Sequence, residues 1–490
     1  MNSENLYDAI TNINDGLVDA AGNSCHRHKR NFRKKSILFV PIALVTAAAI
    51  FAAVIFWPDT SSSRLLSAYA ITEAEYPKMV QYPKELSENE LSFRPAYSEW
   101  YVSLERQRNL ATVEYSDKLK SYVNNTLHTF LSDTDGKNRS ISPLNIYMAL
   151  GMLAEITDGN SREQLLNVLA CSSIEELRST ADSVWNSNYR DDGIATNILA
   201  SSLWLNENIR FHSDTMDTLA DTYHASSYRG EMGSPEFDAA LQNWLNEQTG
   251  GLLEGQISDI SMDPLTVIAL ATTVQFRAKW DSQFIERFTS AQTFHSPNGD
   301  ITTDFMHSHP YNRYNTYYWG DNFSAVCMDF DSGGYMKIIL PDEDCTPDDL
   351  LADEEALAFM TSKPSEWENQ KFLKVNMAIP KFDTTSQLEL TDGLKALGIT
   401  DVFHPELSDY SPLTKKRTIP IALSEVLHGT RVTIDEEGCT AVAYTLPLAV
   451  GDGLPPEDEV DFVADRPFLF VISYEDDLPL FAGVVNQPVE

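Results

Sequence analysis

The chain has 490 residues, 43% of them hydrophobic and 22% charged, enough for one large globular domain or two to three ordinary ones. Its formal net charge of −36 excludes a nucleic-acid-binding surface and adhesion of the main domain to anionic lipid, because both need basic patches. The five cysteines, Cys25, Cys171, Cys327, Cys345 and Cys439, are odd in number, widely spaced and without a C-x-x-C pair, which fits neither a disulfide framework nor a zinc site.

The opening stretch places Leu6, Ile10, Ile13 and Leu17 along one side of a short amphipathic helix. The first long element is "ILFVPIALVTAAAIFAAVIFW", residues 37–57, a run of 21 residues with no charge. That length crosses about 30 Å of hydrocarbon as a helix. Arg27, Lys29, Arg30, Arg33, Lys34 and Lys35 precede it, and no positive charge follows until Arg64. This asymmetry predicts a transmembrane helix with residues 1–36 cytoplasmic and the rest outside the cell. A cleaved signal peptide has a shorter apolar core and a small-x-small site, and "WPDTSSS" offers none. Residues 1–58 carry six Lys/Arg and four Asp/Glu, a net of +2, so the remainder carries −38. Residues 58–108, with Pro58, Pro77, Pro83 and Pro95 scattered through them, read as an extracellular tether that partly packs on the domain at 109–490.

Regular patterning begins at "YSDKLKSYVNNTLHTFL", where Leu119, Tyr122, Val123, Leu127, Phe130 and Leu131 recur at helical spacing. "SISPLNIYMALGMLAEIT" predicts a buried helix, and "GNSREQLLNVL" another, with Ser161 and Gln164 at capping-box spacing. A further helix fits "PEFDAALQNWLNEQTG". From Leu265 the texture turns to strands. "LTVIALATTVQFRAKW" is a buried run, "FSAVCMDFDSGGYMKIILP" a hairpin, "KFLKVNMAIPKFDTTSQLEL" a strand region and "PFLFVISYEDDLPLFAGVVNQP" a closing hairpin. Helices first and strands later, without internal repeats, make the fold class α+β.

Catalytic signals are poor. Asp331-Ser332-Gly333-Gly334 resembles the nucleophile motif of trypsin-like proteases, but it occupies a hairpin turn where those residue types serve the backbone. An enzyme built on Ser332 remains a minor alternative. His307 and His309 lack the carboxylate or thiol partners of a metal site. There is no G-x-S-x-G, H-E-x-x-H or P-loop, so neither a cofactor nor a metal is expected.

Five stretches in order carry a resemblance: "ISPLNIYMALGMLAEITDGNSREQLLNVL", "TTVQFRAKWDSQF", "IPKFDTTSQLELTDGLKALGITDVF", "LSEVLHGTRVTIDEEGCTAVAYT" and "FVADRPFLFVISYEDDLPLFAGVVNQP". Together they resemble the serpin family over roughly three quarters of the chain, from Tyr115 to Pro488. The resemblance implies three β-sheets with about nine helices and an exposed reactive loop. It implies no catalysis but inhibition of serine proteases: the cut loop, still acyl-linked to the protease, inserts into the central sheet as a new strand. It also implies a metastable native monomer held by a kinetic barrier. The family's hinge maps onto Glu436, Glu437, Gly438, Cys439, Thr440, Ala441, Val442, Ala443, Tyr444 and Thr445. Its sheet-opening region maps onto Ser142, Asn145, Trp280, Lys381 and His428, with Glu436 expected to pair with Lys381. Asn145 stands where the family has Ser, and Ala278 where it has Gly.

Between Gly438 and Ala449 there is no charge, although acids flank the run at Asp435, Glu436 and Glu437 and at Glu457, Asp458 and Glu459. A strand alternates faces, so an inward Cys439 brings Ala441, Ala443 and Thr445 inward and turns Thr440, Val442, Tyr444 and Leu446 outward. All four inward residues are small and uncharged, as a strand entering a packed sheet requires. Pro447 counts against insertion because it lacks a ladder donor. The family's usual offset from Gly438 puts the scissile bond at Asp452–Gly453, implying an Asp-specific protease. If Gly451-Asp452-Gly453 is only the bend of the loop, the bait is "LAVG", with Ala449 or Val450 before the bond, which suits elastase-like or subtilisin-like enzymes. A non-inhibitory serpin acting as a surface binding module is the alternative from another class. The anchored form suits a bacterial cell surface.

Overall fold

The computed structural model describes residues 60–84, 92–110, 115–252, 260–309, 313–414, 421–439, 457–474 and 476–488. The expected transmembrane helix at 37–57 and the loop at 440–456 lie outside them. Among the described residues no helix is long and apolar enough to cross a membrane.

The first part holds most of the helices: α1 (Thr60–Tyr69), β1 (Ala70–Thr72), α2 (Phe93–Arg108), α3 (Ser116–Leu131), β2 (Arg139–Ile141), α4 (Pro143–Glu155), α5 (Gly159–Val168), α6 (Ile174–Asn188), β3 (Arg190–Asp191), β4 (Thr196–Asn206), α7 (Ser213–Tyr223), β5 (Ala225–Gly230) and α8 (Pro235–Gln248). Strands follow: β6 (Ile268–Lys279), β7 (Ser290–Ser296), β8 (Gly299–His307), β9 (Tyr314–Trp319), β10 (Phe323–Asp329) and β11 (Tyr335–Pro341). After the short α9 (Pro347–Leu351) and α10 (Glu354–Met360) come β12 (Gln370–Pro380), β13 (Phe382–Glu389), α11 (Thr391–Ala396), β14 (Leu423–Ile434), β15 (Gly438–Cys439), β16 (Glu459–Val463), β17 (Phe468–Ser473) and β18 (Pro479–Val485).

The α+β reading holds, with two differences of count. The described strands form two hydrogen-bonded sheets, not three. One has eight strands in the order β1-β5-β4-β6-β15-β14-β13, with β3 on β4; the other has ten in the order β2-β18-β17-β11-β10-β9-β12-β8-β7, with β16 on β12. A single long strand makes the difference: the first half of β12 pairs with β9 and its last residues pair with β8, joining two groups of strands. The described residues also hold eleven α-helices against the nine expected, two of them in the 58–108 segment.

That segment is more than a tether. Leu66 and Tyr69 join a small core with Trp204 and Phe237, and β1 covers the edge of β5. Trp100 and Leu104 of α2 are buried, and the Trp100 indole donates to Asp192 Oδ2 at 2.8 Å. Aromatic residues spaced among the prolines supply the apolar area that such docking requires.

Helix α4 is buried along its whole length because it lies between the sheets, touching β4, β6 and β18. It starts where Ser142 accepts a bond from the Asn145 N–H, with Pro143 in the first turn. The expected capping box on α5 is absent. The helix begins at Gly159, two residues before Ser161, whose hydroxyl instead accepts from Asp409 N–H at 3.2 Å. Gln164 donates to Asp401 at 2.8 Å. Tertiary partners have claimed both side chains.

Candidate functional site: a part-open seam in the eight-stranded sheet

Strands β6 and β14 lie side by side in the eight-stranded sheet and run parallel. Their direct pairing begins at Ile268 opposite Leu423, shifts register once, and then runs from Ala269 opposite Glu425 to Thr273 opposite Gly429, where it stops. Beyond it the chain turns back after β14, and Gly438 and Cys439 enter between the two strands as β15. Cys439 lies opposite both Ile434 and Ala278. Among the described residues, the seam is thus closed at one end, wedged by the hinge at the other, and unfilled between.

The register is constant across this interval, since 425 − 269 and 434 − 278 are both 156. A strand continuing from Cys439 therefore meets β6 and β14 at the same level at each step, for the ten positions from 439 to 448. Cys439 is 2% exposed and belongs to the main core, which establishes the inward parity of the hinge. Gly438 is required by close approach. A Cβ there would lie 2.4 Å from the Ala278 carbonyl oxygen, so the tight contact comes from the hinge glycine while β6 tolerates alanine.

The three acids of the hinge have three roles. Asp435 closes the turn, its carboxylate accepting from the N–H groups of Glu437 and Gly438 at 2.9 and 3.2 Å. Glu436 pairs with Lys381 at 2.8 Å and accepts from Thr289 Oγ1 at 2.6 Å. Burial pushes the Glu436 carboxyl up, but these bonds outweigh it and hold the group below its ordinary value. Glu437 is exposed. Trp280 locks the turn from the β6 side. Its backbone N–H donates to Glu437 O at 3.1 Å, its indole donates to Asp435 O at 2.9 Å, and its ring stacks on Phe330 at 4.9 Å.

Beneath the closed end of the seam lies a polar layer. His428 Nε2 accepts from Ser142 N–H at 2.9 Å, and Asn145 donates to Thr273 O at 2.7 Å. Burial drives the His428 imidazole down to about 3, so it is neutral at ordinary pH. Ser142, Asn145 and His428 therefore gather under the seam, while Trp280 and Lys381 gather at the hinge. Sequence reasoning missed Ser140, Thr430 and Thr273. Thr430 Oγ1 donates to Ser140 O at 3.0 Å, and Thr273 Oγ1 donates to Gly429 O across the seam at 3.0 Å. The available signal was small hydroxyl residues at inward positions of otherwise apolar strands. Among the described residues, His428 Nδ1, Thr272 Oγ1 and Asn145 Oδ1 have no hydrogen-bond partner.

Ser332 is no nucleophile site. It is buried in the β10–β11 turn, and its carbonyl is met by Arg190 and the Tyr474 hydroxyl. His307 sits against Ser290 and Gln292, and His309 packs on Phe288. No group of three or more metal-ligating side chains occurs among the described residues.

The eight-stranded sheet, with the hinge entering between β6 and β14 and a polar layer beneath, is the setting for the comparison with known proteins. The family model for Serpin (serine protease inhibitor) matches residues 119–488, and the chain belongs to that family. It is 27% identical to Serpin-ZX of Arabidopsis thaliana, over 77% of this chain and 99% of that protein. It is also 27% identical to the leukocyte elastase inhibitor of Homo sapiens, over 72% and 93%. Among solved structures, the thermophilic serpin tengpin in its native state superposes with a TM-score of 0.67 at 24% identity, covering 76% of this chain and 94% of that one. Arabidopsis AtSerpin1 in its native stressed conformation gives 0.66 at 26%, covering 77% and 99%. Serpins are generally protease inhibitors rather than enzymes.

Proposed function

We propose that this serpin inhibits serine proteases as a suicide substrate. The protease serine attacks the carbonyl carbon of the bait residue, the peptide bond breaks, and an ester joins the protease to the loop. The amine of the next residue is released, and the hinge side of the loop, still esterified to the protease, then enters the seam before water can hydrolyse that ester. The unbroken register of 156 between β6 and β14 carries this reading, because a strand from Cys439 to Leu448 can bond to both neighbours without a slip.

The bait region favours an elastase-like or subtilisin-like target cutting after Ala449 or Val450. The alternative is an Asp-specific protease cutting at Asp452–Gly453. The relative named leukocyte elastase inhibitor accords with the first choice. Residues 37–57 anchor the protein in a bacterial membrane with the inhibitor domain outside, where foreign proteases act. It works as a monomer.

One observation favours the substrate-like alternative. Trp280 N–H donates to Glu437 O, so odd-numbered loop residues bond toward β6. Position 447 then pairs with Leu270, and Pro447 leaves that carbonyl without its donor. The test is incubation of the full-length chain in detergent with neutrophil elastase, subtilisin and an Asp-specific protease. A covalent complex on denaturing gels is expected, and the mass of the released C-terminal peptide assigns the bond. Cleavage without complex, and without a rise in thermal stability, would leave a surface binding module.

A further inference from the structure

Phe372 of β12 is 57% exposed, more than any other Phe, Tyr or Trp among the described residues. A single exposed apolar side chain is ordinary, but this one is not alone. Tyr314 of β9 stacks against it with ring centroids 6.3 Å apart and planes 27° from parallel. The two rings stand on paired strands, so their position is set by a hydrogen-bonded ladder rather than by a loop. Alternation along β12 carries the same face through Lys374 to Asn376. There Asn376, Arg313 and Asp461 line a cavity of about 300 Å³. A rigid aromatic step beside a polar hollow offers a protein partner both an anchor and a pocket.

The place of this face selects the partner. Strand β16, by which the bait loop rejoins the domain, runs parallel to β12 from Glu459 opposite Lys374. Its approach is fixed on both sides of Phe372. Lys371 Nζ pairs with Asp458 at 2.5 Å, and the Lys374 N–H donates to Asp458 O at 3.0 Å. Asp458 follows Asp452 by six residues and Val450 by eight. Fully extended, those spans reach at most about 22 and 29 Å. A protease domain of ~200 residues has a radius of roughly 20 Å, so a protease holding the bait brings the rim of its cleft within reach of Phe372. We propose that Phe372 and Tyr314 form a docking step for the body of the target serine protease, which receives the Phe372 ring in an apolar depression beside its cleft. This rests on the bait-loop reading above. The step acts before the bond is cut and takes no part in strand insertion, because β12 belongs to the other sheet.

The test uses the full-length chain in detergent with neutrophil elastase and with subtilisin. It reads the second-order rate constant of covalent complex formation together with the stoichiometry of inhibition. Phe372→Ala is expected to slow complex formation about tenfold, as loss of an anchoring ring does. The stoichiometry should not change, because the partition between trapping and release follows acylation. Phe372→Tyr should restore the rate. Leu265→Ala is the control: Leu265 is 86% exposed but precedes β6, at the end of that strand away from the hinge, and its loss should leave the rate unchanged. A wild-type rate in Phe372→Ala with both proteases would overturn the docking step, as would equal slowing in Leu265→Ala. An effect confined to the stoichiometry would place Phe372 in insertion and overturn it too. If the loop is cut and no complex forms, the inhibitor reading fails, while a tenfold lower kcat/KM for loop cleavage in Phe372→Ala still sustains the docking step.

Discussion

The β6–β14 seam and the β17–β18 hairpin both lie inside their sheets rather than at an edge, yet they are built of different material. Every residue of β17 and β18 is buried, and Phe468, Leu469, Phe470, Val471, Ile472, Leu480 and Phe481 are wholly enclosed. Phe470 lies so close over Gly483 that a Cβ there would come within 2.5 Å of its ring. The seam instead ends in a polar step, where Thr272 faces His428 and Thr273 faces Gly429. Interlocked apolar side chains resist separation because every contact is lost at once. Small hydroxyls offer little steric hold, and their hydrogen bonds can be remade with an arriving strand. The difference teaches where this fold keeps an interlocked core and where it keeps a looser, polar joint.

The largest effect is expected from breaking the joint at its mouth. Cys439→Arg puts an unpaired charge at a buried position, at a cost of several kcal/mol. It is expected to expel the hinge and convert the protein from inhibitor to substrate, read as loss of covalent complex with loop cleavage intact. Phe470→Ala attacks the permanent core and should cost about 3–5 kcal/mol. Because β17 takes no part in insertion, denaturant unfolding should register that loss equally before and after loop cleavage. A loss confined to one form would contradict the division between core and joint.

Two smaller changes sharpen the contrast. Thr272→Val replaces an unpaired buried hydroxyl with a methyl group and should stabilise the uncut form by about 1 kcal/mol. Slower loss of inhibitory activity on warming is the readout. His428 supplies a pH signature. Its folded value near 3 lies below the ordinary 6.5, so between those limits the unfolded chain binds a proton that the folded chain does not. Stability is therefore complete above pH 6.5 and falls toward pH 3, by up to ~1.4 kcal/mol per pH unit from this group. His428→Gln should flatten that slope. It should not abolish it, because burial also pulls His224 down to about 4. Lys381→Met removes the partner of Glu436, but the ammonium is one-third exposed, so less than ~1 kcal/mol is expected in thermal unfolding.

Much of this was legible before any coordinates. Helical spacing from Leu119 to Leu131 located α3, and the uncharged run after Gly438 marked a segment fit to become a strand. Alternation only carried an assumed inward Cys439 on to Ala441, Ala443 and Thr445; the burial of Cys439 itself came from the structure. The roles of Ser161 and Gln164 were not legible, because each bonds a partner more than 200 residues away. Nor was the joining of the strands through β12, since one strand reads the same with one neighbour or two. Partial packing of residues 58–108 was expected, but the scattered prolines gave no sign that two helices, α1 and α2, would do it.

Local chemistry belongs to the sequence: which stretches are apolar, which alternate, which carry no charge, and which glycine can turn a chain. These properties depend on residues a few positions apart, and one chain suffices to read them. Tertiary structure decided what no local pattern can encode. It set the common offset of 156 between β6 and β14, placed the hydroxyl layer beneath them, and laid Phe372 on Tyr314. Each depends on packing distant segments at one level, where a shift of a single residue would turn every side chain to the opposite face.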